Sequence, residues 1–110
     1  MKIIKSIQEL RDTLKTFRRE GKTIGLVPTM GALHRGHASL IDASSARADI
    51  TVVSVFVNPI QFGKNEDLDK YPRRLEADSE LANAHGASII FAPTAEEMYP
   101  NGEPETYVRN

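Results

Sequence analysis

The run Ile50-Thr51-Val52-Val53-Ser54-Val55-Phe56-Val57 constrains this chain more than any other feature. It is apolar almost throughout and rich in β-branched residues, so it reads as a strand. A strand with one wet face would alternate apolar and polar residues. This one does not, so both of its faces must be covered, as in parallel sheets flanked by helices. Thr23–Val27, ended by Pro28, and Ser88–Ala92, stopped by Pro93, read as further buried strands.

The segments between these strands supply the cover. Ser6-Ile7-Gln8-Glu9 has the form of a capping box. Ile7, Leu10, Leu14 and Phe17 then recur at helical spacing, with charged residues between them and Gly21 as the stop. Burying those four side chains contributes roughly 1.5–3 kcal/mol each before entropy is subtracted. His37 to about Arg47 reads as a second helix, and Pro72–His85, followed by Gly86, as a third. Strands alternating with helices predict an α/β fold with a parallel sheet built by right-handed crossovers. The 110 residues suffice for one small domain. Three or four strands make only half of a doubly wound sheet, and Tyr99–Asn110 is polar with no core-facing pattern. The expectation is therefore one unit over residues 1–110, the first half of a larger domain.

Charge and cysteine usage narrow the function. A formal net charge of −1 argues against broad binding to nucleic acid or to anionic membrane. The absence of cysteine excludes disulfide scaffolds, thiolate metal sites and cysteine nucleophiles. Met1–Lys5 turns polar too quickly for a secretory signal, and no apolar run approaches the roughly 20 residues that span a bilayer. A cytoplasmic location is expected.

Open α/β sheets bind ligands beyond the carboxyl ends of their strands, and two segments here occupy that place. The first is Pro28-Thr29-Met30-Gly31-Ala32-Leu33-His34-Arg35-Gly36-His37. Its glycines let the backbone approach a ligand, and a helix starting near His37 favours an anion at its amino end. His34 and His37 lie three apart across that start, and either ring can donate to phosphate oxygens. A structural turn and a metal site are the competing readings. The third histidine, His85, lies elsewhere at a helix end, and no metal-ligand spacing of the His-x-x-x-His kind is present.

The second segment is Asn58-Pro59-Ile60-Gln61-Phe62, which leaves the most buried strand and opens the long polar stretch to Lys70. Asn58 is held extended by the proline that follows. The Gln61 amide can fix the hydroxyl and carboxylate of a small acid, and Phe62 can wall off its apolar part. A turn with a satisfied amide is the alternative. Glu66, Asp67 and Asp69 read as a solvated loop in preference to a metal site.

The string His34-Arg35-Gly36-His37 resembles the His-x-Gly-His signature of the nucleotidyltransferase superfamily, with a Rossmann-like parallel sheet. The longer string from Pro28 to His37 resembles the ATP-binding loop of the pantothenate synthetase family, and Phe56–Phe62 with Glu66–Arg73 resembles its second block. The likeness runs on through Phe91-Ala92-Pro93 and Met98–Gly102 to Tyr107-Val108. It implies ATP-dependent condensation of pantoate with β-alanine through a pantoyl adenylate, with Mg²⁺ on the phosphates, in a homodimer. It implies an ATP site of Met30, Gly31, Ala32, Leu33, His34, Arg35, Gly36 and His37, of which His37 and His34 are catalytic. Gln61 and Met30 would hold pantoate, and Gln61 would lie close to β-alanine. No protein metal ligands are implied. The family's later Gly-Glu-Lys-Asp-like block, its lysine-serine-arginine segment and its smaller second domain have no counterpart in these residues, so activity of the chain alone is not expected. Another nucleotidyltransferase, or a non-catalytic nucleotide-binding fragment, is the alternative.

Overall fold

The computed structural model describes residues 1–56 and 71–98. Four strands, β1 (Lys2–Ile4), β2 (Ile24–Thr29), β3 (Ile50–Val55) and β4 (Ile89–Phe91), form one sheet in the order β1-β4-β3-β2. Every pairing is parallel. Helices α1 (Ile7–Arg19), α2 (Arg35–Arg47) and α3 (Tyr71–Ala84) connect successive strands, and a single-turn α4 (Ala95–Met98) follows β4. No helix among the described residues is long and apolar enough to cross a membrane.

The two faces of the sheet carry separate cores, as alternation along each strand requires. Ile50, Val52, Ile89 and Phe91 point to one face with Ile4, and Ile7, Leu10, Leu14 and Phe17 of α1 pack onto them. Val53, Val55, Ile90 and Ala92 point to the other with Val27, and meet Ile41 of α2 and Ala82 of α3. Thr51, also buried on that second face, has its hydroxyl hydrogen-bonded to that of Ser44 at 2.8 Å. Cover on both faces of β3, predicted from its composition, is what the structure has.

Helix ends follow from local chemistry. The Ser6 hydroxyl accepts from the Glu9 amide at 3.0 Å, while the Glu9 carboxylate lies 3.5 Å from the Lys2 ammonium. At the far end of α1, Gly21 adopts a φ of 78°, with the Lys22 amide bonded to Phe17 O and the Gly21 amide to Arg18 O. This is a Schellman closure. Gly86, with a φ of 102°, repeats it after α3 through Ala87 to Ala82 and Gly86 to Asn83. Both glycines stand where the sequence placed the stops.

Three details differ from the sequence expectation. β1 is a strand of three residues with only Ile4 buried, too short to leave a pattern. β2 continues through Pro28 to Thr29, with Pro28 opposite Ser54. A proline is tolerated there because β2 ends the described sheet. Helix α2 begins at Arg35, two residues before the expected start, for a reason that lies in the two histidines.

Candidate functional site

Strands β2 and β3 are neighbours, in register from Ile24 opposite Ile50 to Thr29 opposite Val55. The Phe56 amide donates to Thr29 O at 3.2 Å, extending the ladder to the sheet's carboxyl edge. The carboxyl ends of β2 and β3 therefore lie side by side. Asn58, Gln61, Phe62, Glu66, Asp67 and Asp69 lie outside the described residues. The described segment is the one from Met30 to His37.

His34 is the N-cap of α2, in extended conformation, and His37 is the third residue of the helix. The Gly36 amide donates to His34 Nδ1 at 3.1 Å, and the His34 amide donates to His37 Nδ1 at 3.1 Å. The pair forms a capping box in which imidazoles replace the usual hydroxyl and carboxylate. The helix starts at Arg35 because His34 caps it. Gly36 has a specific task in this arrangement: a Cβ there would stand 3.0 Å from His34 Cε1 and 3.3 Å from Nδ1. The glycine makes room for the ring to fold back over the helix start.

A nitrogen that accepts from a backbone N–H carries no proton of its own. Each neutral ring therefore has its proton on Nε2. The ring centroids are 4.2 Å apart and the planes are tilted by 51°. His34 is exposed and His37 half-buried. The arrangement sets two Nε2–H donors at the amino end of α2, where the helix dipole favours an anion.

The rest of the segment is tied down from beneath. Thr29 Oγ1 donates to Ser54 O at 2.9 Å and accepts from the Gly31 amide at 3.1 Å. Asp78, on α3 and 2% exposed, accepts from the Ala32 amide through Oδ2 at 3.0 Å and from the Leu33 amide through Oδ1 at 2.8 Å. Gly31 has a φ of 92° and Ala32 a φ of 54°, the latter in the left-handed region that a Cβ disfavours. The amides of Gly31, Ala32, Leu33, His34 and Gly36 thus all have partners inside the protein. At those positions side chains of the protein hold the loop in shape. Met30 and Arg35 are exposed on the same loop, and Leu33 packs against the core.

Asp78 is the residue the sequence reading missed. A signal was present: Leu75, Asp78 and Ala82 share one helical face, and a carboxylate among core positions demands buried donors. No cluster of three or more potential metal ligands occurs among the described residues. Two open grooves on the described surface are lined mainly by residues of β2 and α2, and of α1, away from this loop. The chemistry of the histidine pair marks the candidate site.

A family model described as pantoate-beta-alanine ligase matches residues 2–110. The chain belongs to that family. It is 57% identical over 102 residues to the pantothenate synthetase of Pseudomonas putida (strain W619), covering 93% of this chain and 36% of that protein. It is 58% identical over 106 residues to the pantothenate synthetase of Phocaeicola vulgatus, covering 96% and 37%. The crystal structure of pantothenate synthetase from Thermus thermophilus superposes with a TM-score of 0.75 at 45% identity, over 93% of this chain and 35% of that one. The pantoate-beta-alanine ligase of Francisella tularensis, complexed with beta-gamma ATP and beta-alanine, gives 0.78 at 36% identity, over 93% and 39%. The parallel α/β sheet is thus the family's fold, and the chain spans little more than a third of the length of these relatives.

Proposed function

We propose that these residues supply the ATP- and pantoate-binding edge of an AMP-forming pantoate–β-alanine ligase of the His-x-Gly-His nucleotidyltransferase type. The observation that carries the reading is the pair of imidazoles whose Nδ1 atoms are committed to the helix cap, leaving both Nε2–H groups as fixed donors. In the first step a pantoate carboxylate oxygen attacks the α-phosphorus of MgATP, a P–O bond forms, and the bond to the bridging oxygen breaks to release pyrophosphate. Charge develops on the phosphate oxygens, and donors fixed beforehand stabilise it without reorganising. His34 and His37 take that role, with Met30 to Gly36 shaping the nucleotide side. In the second step the β-alanine nitrogen attacks the acyl carbon, the bond to AMP breaks, and the amine proton leaves to solvent. Gln61 and Met30 hold pantoate so that its carboxylate faces the phosphorus, and Gln61 borders the β-alanine entry. Mg²⁺ would come with the ATP phosphates, whose charge it would help to neutralise.

On this reading the complete protein is a cytoplasmic homodimer of small-molecule metabolism, with no nucleic-acid or membrane partner. The chain alone binds nucleotide without completing the condensation. Calorimetry of the chain with ATP, AMP and pantoate tests the binding half. ATP heats that vanish in His37→Ala support the reading, and no ATP binding by the unaltered chain defeats it. In the complete enzyme, His37→Ala should slow single-turnover adenylate formation about 10²–10⁴-fold. Gln61→Ala should weaken pantoate capture more than ATP capture, and equal losses would count against its assignment.

A further inference from the structure

We propose that Asp78 is a positioning residue for the nucleotide loop: its buried carboxylate clamps the Ala32 and Leu33 amides and so sets the height and angle of the His34–His37 pair. The inference rests on the nucleotide reading above and adds to it a residue that lies in another element, α3. Asp78 is 46 and 45 positions along the chain from the amides it holds. The clamp therefore joins the loop after β2 to the helix that follows β3.

Three observations support a positioning role over simple filling of space. The carboxylate is spent symmetrically, one oxygen per amide, at 3.0 and 2.8 Å. An acceptor with two equivalent oxygens suits two successive N–H groups, and charge-assisted bonds of this kind are roughly twice as strong as neutral ones. The amides belong to the residues where the backbone is least at ease, Ala32 at φ 54° following Gly31 at φ 92°. Left unheld, Ala32 would return to the right-handed region and swing the His34 cap away from α2. Finally, Gly31 brings the loop backbone close over Val55 and the carboxylate, where a Cβ would stand a tight 3.3 Å from Val55 Cγ1 and in ordinary contact, 3.4 Å, with Asp78 Oδ2.

Asp78→Asn separates the roles. The carboxamide keeps size and burial but offers one acceptor and one donor, so one of the two amides must face an N–H₂ group. Amide hydrogen exchange and ATP titration on the 110-residue chain give the readouts. In the unaltered chain the Ala32 and Leu33 amides should exchange slowly even though Ala32 is exposed; free exchange there overturns the clamp without any variant. In Asp78→Asn those amides should exchange faster by about 5- to 150-fold, the range for one buried donor left unpaired. β3 and β4 amides should hold their rates, and ATP dissociation should rise by a similar factor. Unchanged ATP affinity, or faster exchange spread equally over the sheet, overturns the proposal. Asp78→Glu retains charge and both oxygens. If Asp78→Asn does not fold, this variant must show the same local pattern in milder form, or the proposal falls. Should the unaltered chain bind no ATP while the two amides are protected, the nucleotide reading fails and the clamp stands as a fold element only.

Discussion

The rings of His34 and His37 sit 4.2 Å apart between centroids, and each uses its Nδ1 to accept a backbone N–H at the start of α2. The same side chains thus finish a helix and present Nε2–H donors above it. On the proposed function, a ligand role and a structural role fall to opposite edges of one imidazole. The two can be separated by substitution.

His34→Asn combined with His37→Gln should keep the helix and lose the ligand. Asparagine is among the best N-caps, and glutamine at the third position completes a capping box. Thermal melts should stay within a few degrees of the unaltered chain, since a lost cap is worth only about 0.5–2 kcal/mol and this variant retains one. ATP affinity should fall by at least about 10²-fold, on the order of two hydrogen bonds to a charged group at about 1.5–3 kcal/mol each. A large fall in stability with no change in affinity would mean the histidines serve the helix alone.

Ile90→Ala tests where stability resides. Ile90 is wholly buried between β3, β1 and the helices of the second core. Removing it should cost roughly 2–5 kcal/mol, visible as a lower urea midpoint. Leu26→Ala on β2, 64% exposed, should lie within about 0.5 kcal/mol of no effect. Equal losses at the two positions would place the core elsewhere.

Much of this was legible in the sequence because the strongest signals are local. The unbroken run of β3 announced two covered faces, and Gly21 and Gly86 announced helix ends that became Schellman closures. The histidine spacing announced a shared helix start, and His34 and His37 do meet there. Long-range facts left weaker traces. The pairing of β1 with β4 joins backbone almost ninety residues apart through a three-residue strand, of which one side chain is buried. Asp78 reads as one more polar residue in a mixed helix until the fold brings it under Ala32 and Leu33. The strand through Pro28 was hidden because a proline ends most strands, and here it is tolerated with β2 at the end of the described sheet.

Acid should weaken the fold partly through Asp49. Its carboxylate accepts from the Thr23 amide at 2.9 Å and from the Thr23 hydroxyl at 3.3 Å, joining the ends that enter β2 and β3. The backbone hydrogen bond, above all, holds its pKa below the ordinary 3.8, with the Thr23 hydroxyl and Lys22 adding to the effect. A depressed folded-state pKa means the contribution is fully present above 3.8 and fades as the pH falls through the folded value. Melting temperatures taken between about pH 6 and about pH 3 should therefore drop more steeply for the unaltered chain than for Asp49→Asn. Parallel curves would remove Asp49 from the account.

Gly36→Ala should damage nucleotide binding while sparing the helix. Gly36 is the second residue of α2, a position where alanine is favoured over glycine by up to about 1 kcal/mol. On backbone grounds the substitution should stabilise. The new Cβ, however, would stand 3.0 Å from His34 Cε1 and 3.3 Å from Nδ1, closer than carbon atoms ordinarily approach. Because His34 is exposed, its ring can tilt outward to relieve the contact, at the expense of the 3.1 Å bond from the Gly36 amide. That bond is worth about 0.5–1.5 kcal/mol, and its loss frees the ring from the orientation that, on the proposed function, serves the phosphates. ATP affinity should fall by about 2- to 10-fold, with a melting temperature equal to or above that of the unaltered chain. A matched fall in stability and affinity would instead make Gly36 a backbone requirement. Full affinity would show that the ring needs no such room, and that the tight turn between the two imidazoles has another cause.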